Sequence, residues 1–168
     1  MADDNALGLY FSDTEFTQET ATAEIEPDFL LASYVVLTGA TGSTVAGYEV
    51  VISCTAPDFS IPVTSLFWGE NAGTSTNQIV HFATPVPVVA GGTVLSTALV
   101  GTASTGYEEI SFGPADPSSL PGTPVVDFGG GDLQPCSYPF GTPVVAWLNA
   151  DPVATEARSY SGVKRLFD

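Results

Sequence analysis

The chain has 168 residues, 44% hydrophobic and 11% aromatic, which is enough for one domain with a substantial core and argues against two. Its formal charge of −16 and pI near 4.1 repel phosphate backbones and anionic headgroups, which excludes nucleic-acid and membrane-surface binding by the body of the chain. Only 13% of residues are charged and hydrophobic content is high, unlike a disordered acidic segment.

Taken in order, the chain reads as β. Leu7–Phe11 forms a short first strand, and Thr20–Glu26 alternates Ala21, Ala23 and Ile25 against Thr22, Glu24 and Glu26, as one wet face requires. Ala32–Leu37 is apolar on both faces, the pattern of a central, covered strand. Tyr48–Thr55 places Tyr48, Val50, Ile52 and Cys54 on a core face and Glu49, Val51, Ser53 and Thr55 on the other. Further strands are predicted at Ile61–Trp68, Gln78–Ala83, Thr93–Gly101, Tyr107–Phe112 and Thr142–Asn149, separated by glycine- and proline-rich turns. Pro85, Pro87, Pro121, Pro124 and Pro143 suit strand edges.

Eight or nine short strands at spacings near ten residues predict an all-β, antiparallel β-sandwich rather than a parallel sheet, which would need crossover helices. The longest apolar stretch, Phe29–Leu37, is interrupted by Ser33 and falls short of the roughly 20 residues of a spanning helix, so no membrane-spanning segment is predicted. The start Met1-Ala2-Asp3-Asp4 reads as an initiator methionine on a mature secreted chain whose leader has been removed, and a secreted or cell-surface location is expected.

All three cations, Arg158, Lys164 and Arg165, fall after Ala157. The sandwich is therefore assigned to 1–157, at −18, and a basic tail to 158–168, at +2, with at most one helical turn. Tyr160, Val163, Leu166 and Phe167 interleave with those cations, so the tail has apolar surface to bury as well as charge to pair. It is expected to dock on an acidic face of the same subunit or a neighbour. The nearest candidate is the N-terminal region with its eight acids, among them Glu24, Glu26 and Asp28. Docking on a neighbour would give head-to-tail self-assembly.

Two cysteines, Cys54 and Cys136, predict one disulfide in an exported chain, against the alternative of two buried free thiols. A zinc site lacks ligands, since the chain has two cysteines and a single histidine. His81, that single histidine, lies on the Ile79 side of a strand, and no Gly-x-Ser-x-Gly elbow supplies a nucleophile for it. The adjacent Glu108 and Glu109 point to opposite faces of a strand and cannot act as a glycosidase pair, whereas a pair such as Glu49 with Glu70 stays open. Trp68, with Glu70 and Asn71, could form a sugar-stacking face, to which Tyr138 and Trp147 could add. Asp127 and Asp132, around three glycines, leave room for weak calcium binding, and no other cofactor is implied.

The motifs Asn5-Ala-Leu-Gly-Leu-Tyr-Phe, Gly47-Tyr-Glu-Val-Val and Thr155-Glu-Ala-Arg-Ser-Tyr-Ser-Gly-Val-Lys-Arg-Leu-Phe resemble those of uncharacterised exported bacterial proteins with cohesin-like or immunoglobulin-like sandwiches. That group commonly closes on a Ser-Trp-Gly-x-Val-Lys-type segment, where this chain has Tyr160 and Ser161. The resemblance implies the sandwich fold and export, and brings no catalytic residues. The leading expectation is an exported, non-catalytic structural, adhesive or assembly module. The alternatives are a carbohydrate-binding module for extracellular polysaccharide, with or without calcium, and a small secreted hydrolase.

Overall fold

A computed structural model describes residues 4–66 and 69–150. Among these there are twelve strands and no helix, arranged as two sheets packed face to face. The strands are β1 (Ala6–Tyr10), β2 (Thr22–Ala23), β3 (Leu31–Thr38), β4 (Thr44–Cys54), β5 (Ser60–Leu66), β6 (Gly69–Asn71), β7 (Asn77–Pro87), β8 (Thr93–Gly101), β9 (Glu108–Gly113), β10 (Val125–Asp127), β11 (Leu133–Pro135) and β12 (Val144–Leu148). The all-β sandwich expected from the alternation is present. The expected eight or nine strands are corrected to twelve, because β6, β10 and β11 have three residues each, too few to show a period-two pattern.

The smaller sheet has the order β1-β3-β8-β5, all antiparallel. β3 is central, and its second face is covered as the sequence required: Val36 is fully buried, and Phe16, from the segment after β1, packs edge-on against Tyr10 at 5.3 Å. In the larger sheet β4 is the hub. β7 runs along one of its edges, from Thr44 to Val51. Along the other edge β10 faces Gly47–Glu49 and β9 faces Val51–Cys54, so the 114–124 segment is an excursion out of what is otherwise one continuous edge. β6 flanks β7, β11 flanks β10, and β12 flanks β9 with β2 beyond it in parallel.

The core lies between the sheets: Leu7, Leu9, Val35 and Leu95 from the small sheet meet Tyr48, Val50, Ile52, Val80, Ile110 and Phe112 from the large one, all essentially inaccessible. Apolar area of this kind supplies most of the folding free energy, at about 25 cal/mol per Å² removed from water.

The disulfide expected between Cys54 and Cys136 is not formed; both are free thiols. Cys136 follows β11, two strands away from β4, and its neighbour Pro135 stands level with Glu49 through Val125. Cys54 is five residues further along β4. Cys136 is thus level with Val50, so the two positions differ by about 13 Å along the strands alone, against a Cα limit of roughly 7 Å for a disulfide. The basic tail 158–168, with its expected helical turn, lies outside the described residues.

Candidate functional site: an acid-lined notch on the open face of the larger sheet

The strand register lines up Glu70 of β6, His81 of β7, Gly47 of β4, Asp127 of β10 and Leu133 of β11 in one row across the larger sheet. Residues opposite one another in a ladder project to the same face, and since Tyr48 points into the core, this row points away from it. The middle of the row is vacant because Gly47 has no side chain. A Cβ there would stand 2.4 Å from the Val80 carbonyl oxygen, so the close approach of β4 and β7 at their bulge enforces glycine. The result is a cavity of about 240 Å³ lined by Gly47, Glu49, His81, Asp127, Gly131 and Leu133.

Glu49 sits at the notch on the next row and is only 8% exposed. Its carboxylate accepts the Ser119 backbone N–H at 2.7 Å and the Ser119 hydroxyl. Ser119 is brought there by the 114–124 excursion, which Asn77 holds down: its Nδ2 donates to the Asp116 carbonyl at 2.6 Å, and its Oδ1 accepts the Asp116 N–H at 3.0 Å. Glu49 is thus a nearly buried acid with neutral partners, in a chain with no lysine or arginine before Arg158. Glu49 and Asp127 bring two carboxyl groups to one notch, where an entering cation would meet both.

Of the other residues singled out from sequence, Trp68 lies outside the described residues. Glu70 is exposed and shares the notch row. Asn71 is occupied in building the turn into β7: its Nδ2 donates to the Thr74 carbonyl at 2.8 Å, and its Oδ1 accepts the N–H groups of Gly73 and Ile79, each at 2.9 Å. Trp147 packs against Phe140 at 5.3 Å, and with Tyr138 it lies against the core.

The Asp127–Asp132 loop is a hairpin connection whose glycines 129, 130 and 131 all have positive φ. Asp127 accepts the Gly129 N–H at 2.7 Å and Asp132 accepts Gln134 Nε2 at 2.6 Å, and no group of three or more metal-binding side chains gathers there or elsewhere among the described residues. His81 stands exposed beside the notch, but the nearby Ser119 hydroxyl donates to Glu49. Glu108 and Glu109 engage different partners, as their positions require. Glu108 accepts Ser104 Oγ at 2.5 Å and the Thr55 hydroxyl, which hold its carboxyl below the usual range, while Glu109 accepts the Tyr107 hydroxyl at 2.9 Å.

Sequence reading missed Gly47, Ser119 and Leu133 as partners of Glu49, because register between distant strands creates the notch. The available signal was an acid on the outward face of the cleanest alternating strand, two residues after a glycine.

No family model and no curated protein matches this chain. Solved structures do, and they decide the fold. The chain is cohesin-like in fold. It superimposes on the cohesin module of a Clostridium perfringens family 33 glycoside hydrolase with a TM-score of 0.53 at 10% identity, covering 80% of this chain and 90% of that one. The third ScaB cohesin of R. flavefaciens, in complex with a group 1 dockerin, gives 0.53 at 12% identity over 86% and 94%. The sixth cohesin of Acetivibrio cellulolyticus scaffoldin B, in complex with a mutant Cel5 dockerin, gives 0.50 at 14% identity over 87% and 98%. At these identities the cohesin likeness is one of fold.

Proposed function

We propose that this chain is an exported, non-catalytic binding module of an assembly, which recognises a protein partner through the notch over Gly47. The observation that carries the reading is the nearly buried Glu49 carboxylate in a cavity that Asp127 also lines, with no lysine or arginine among the described residues. Two of the cohesins of like fold are in complex with protein partners, their dockerins, which supports assembly as the use of this architecture. A lysine or arginine of the partner enters between Glu49 and Asp127, and its aliphatic stem lies on Leu133. Export is supported by the lysine-poor, threonine- and glycine-rich composition. The basic tail 158–168 is the second element of the reading, a docking segment for an acidic face of the same or a neighbouring subunit.

The test is an array of short peptides that differ in charge, probed with the native chain and with a Glu49→Gln/Asp127→Asn double variant. Lysine- and arginine-bearing peptides should be retained selectively, with affinity about tenfold lower for the double variant, a loss of about 1.4 kcal/mol. Retention that ignores peptide charge, or that is equal for both proteins, removes the notch as the recognition site.

A further inference from the structure

Phe29 and Leu30 are adjacent, apolar and 65% and 51% exposed. They are held in that position by local structure. Asp28 takes a left-handed backbone with φ of 69°, the Phe29 N–H donates to the Glu26 carbonyl at 3.2 Å, and Leu30 lies over Gly101, where a Cβ would come within 2.9 Å of its Cδ2. Beside them is Asp58, fixed by the Thr102 hydroxyl at 2.8 Å and by the Ala103 N–H. Together Asp28, Phe29, Leu30, Asp58 and Thr102 line an open cleft of about 220 Å³ at the end of the smaller sheet. Apolar floor and acidic rim is the complement of a segment in which Arg158, Lys164 and Arg165 alternate with Tyr160, Val163, Leu166 and Phe167.

The described chain ends near this cleft. Asn149 is tied to the Ala23 carbonyl through its N–H at 2.8 Å, to the Ile25 N–H through Oδ1 at 2.9 Å, and to the Ser104 carbonyl through Nδ2 at 3.2 Å. The following Ala150 shares a hollow with Glu24 and Thr105. Thr105 is two residues from Ala103 and Glu24 four from Asp28, so the cleft opens within about 15 Å of the exit point. Arg158 is eight residues beyond Ala150, a reach of up to about 27 Å. The notch over Gly47 is much farther: β12 ends level with the residues just past Cys54, about 30 Å along β4 from Gly47.

We infer that residues 158–168 dock in cis on the cleft of Asp28, Phe29, Leu30 and Asp58, with their apolar side chains over Phe29 and Leu30 and their cations against Asp28, Asp58 and the neighbouring Glu24 and Glu26. This rests on reading the basic segment as a docking element, and it selects the same subunit over a neighbour as the acceptor. Docking in cis covers this exposed apolar pair. It also leaves the notch for a different molecule.

Trypsin reads this directly, because Arg158, Lys164 and Arg165 are the only lysines and arginines in the chain, so every tryptic cut falls in the tail. The native chain should be cut at least about tenfold more slowly than a free peptide of residues 151–168, since cleavage follows the population of the open form. A Phe29→Ser/Leu30→Ser variant, altered only at exposed positions, should lose most of that protection. Asp28→Asn, which tolerates the left-handed backbone, should lose part of it, as should the native chain in about 0.5 M salt. Cis docking further requires protection that does not change with protein concentration. Equal cleavage of native chain, variant and peptide overturns the inference, and so does protection that rises with concentration, which would place the acceptor on a neighbour. The Glu49→Gln/Asp127→Asn protein should keep full protection, so failure of the notch reading and failure of tail docking give separate results.

Discussion

Tyr48 on the larger sheet and Ser96 on the smaller share a 2.8 Å hydrogen bond across the middle of the sandwich, where both residues are buried. The Tyr48 hydroxyl donates its one proton to Gln78 Oε1 at 2.7 Å and so accepts from the Ser96 hydroxyl, and Gln78 Nε2 donates to the Ser75 carbonyl at 2.9 Å. This is a satisfied polar chain inside an apolar core, and it fixes which residues of the two sheets face one another. Tyr48→Phe keeps the ring but leaves Gln78 and Ser96 each short of a partner. It should lower stability by about 1–3 kcal/mol, read as a lower urea midpoint with an unchanged slope. A variant as stable as the native chain would mean the two groups find other partners.

Burial pushes the Cys136 thiol up to about 12 and the Tyr10 hydroxyl up to about 12, and it also raises Tyr48. The unfolded chain releases these protons from roughly pH 8.5 for cysteine and pH 10 for tyrosine. Above those values the unfolded state binds fewer protons than the native one, so stability falls as pH rises. The contribution is intact below about pH 8 and is lost progressively toward pH 12. Urea midpoints measured from pH 7 to 10.5 should decline, and Cys136→Ala should flatten the first part of that decline.

The same cysteines give a direct chemical test. Protein unfolded without reductant should titrate with two thiols, since neither cysteine is bridged. In the native state Cys54, which is partly exposed, should be alkylated well before Cys136, which is 3% exposed. One intact disulfide in freshly purified protein would contradict the separation of the two positions in the sheet.

Gly47→Ala adds one methyl group, yet the methyl would sit 2.4 Å from the Val80 carbonyl oxygen. β4 and β7 must then separate at the hub of the larger sheet. The expected cost is about 1–3 kcal/mol, with increased hydrogen exchange at the β4–β7 pairs around His81. Unchanged stability would show that the bulge between Val45 and Gly47 can absorb the group.

What the sequence made legible follows from range. β4 was legible from its alternation, with Tyr48, Val50 and Ile52 buried as their common face required, β3 was legible from its run of apolar residues on both faces, and Thr93–Gly101 matched its observed bounds. β10 and β11 could not be read, because Val125–Asp127 and Leu133–Pro135 become strands only through pairing with β4 and with each other. The Asp127–Asp132 run, legible as an oxygen-rich turn, forms the hairpin connection between β10 and β11 with its glycines at positive φ. The notch was invisible for a related reason: Glu49, His81 and Asp127 are distant in sequence, and only register brings them to one cavity. The disulfide expectation failed because parity of cysteines carries no information about where a strand places them.

Asn149 separates two contributions that usually coincide. Its φ of 50° lies in the left-handed region, and its side chain bonds both Ile25 and Ser104, pinning β12 to the segments that flank it. Asn149→Gly relieves the backbone and removes the side-chain bonds, whereas Asn149→Ala removes the bonds and adds strain. Loss of the bonds should cost about 1–2 kcal/mol in both, with a further 1 kcal/mol or so in the alanine variant alone. The Ile25 amide, which loses its acceptor in each case, should exchange faster in both proteins. If glycine and alanine were equally destabilising, the backbone at 149 would not depend on the left-handed conformation, and the exit of the chain at Ala150 would be set by β12 alone.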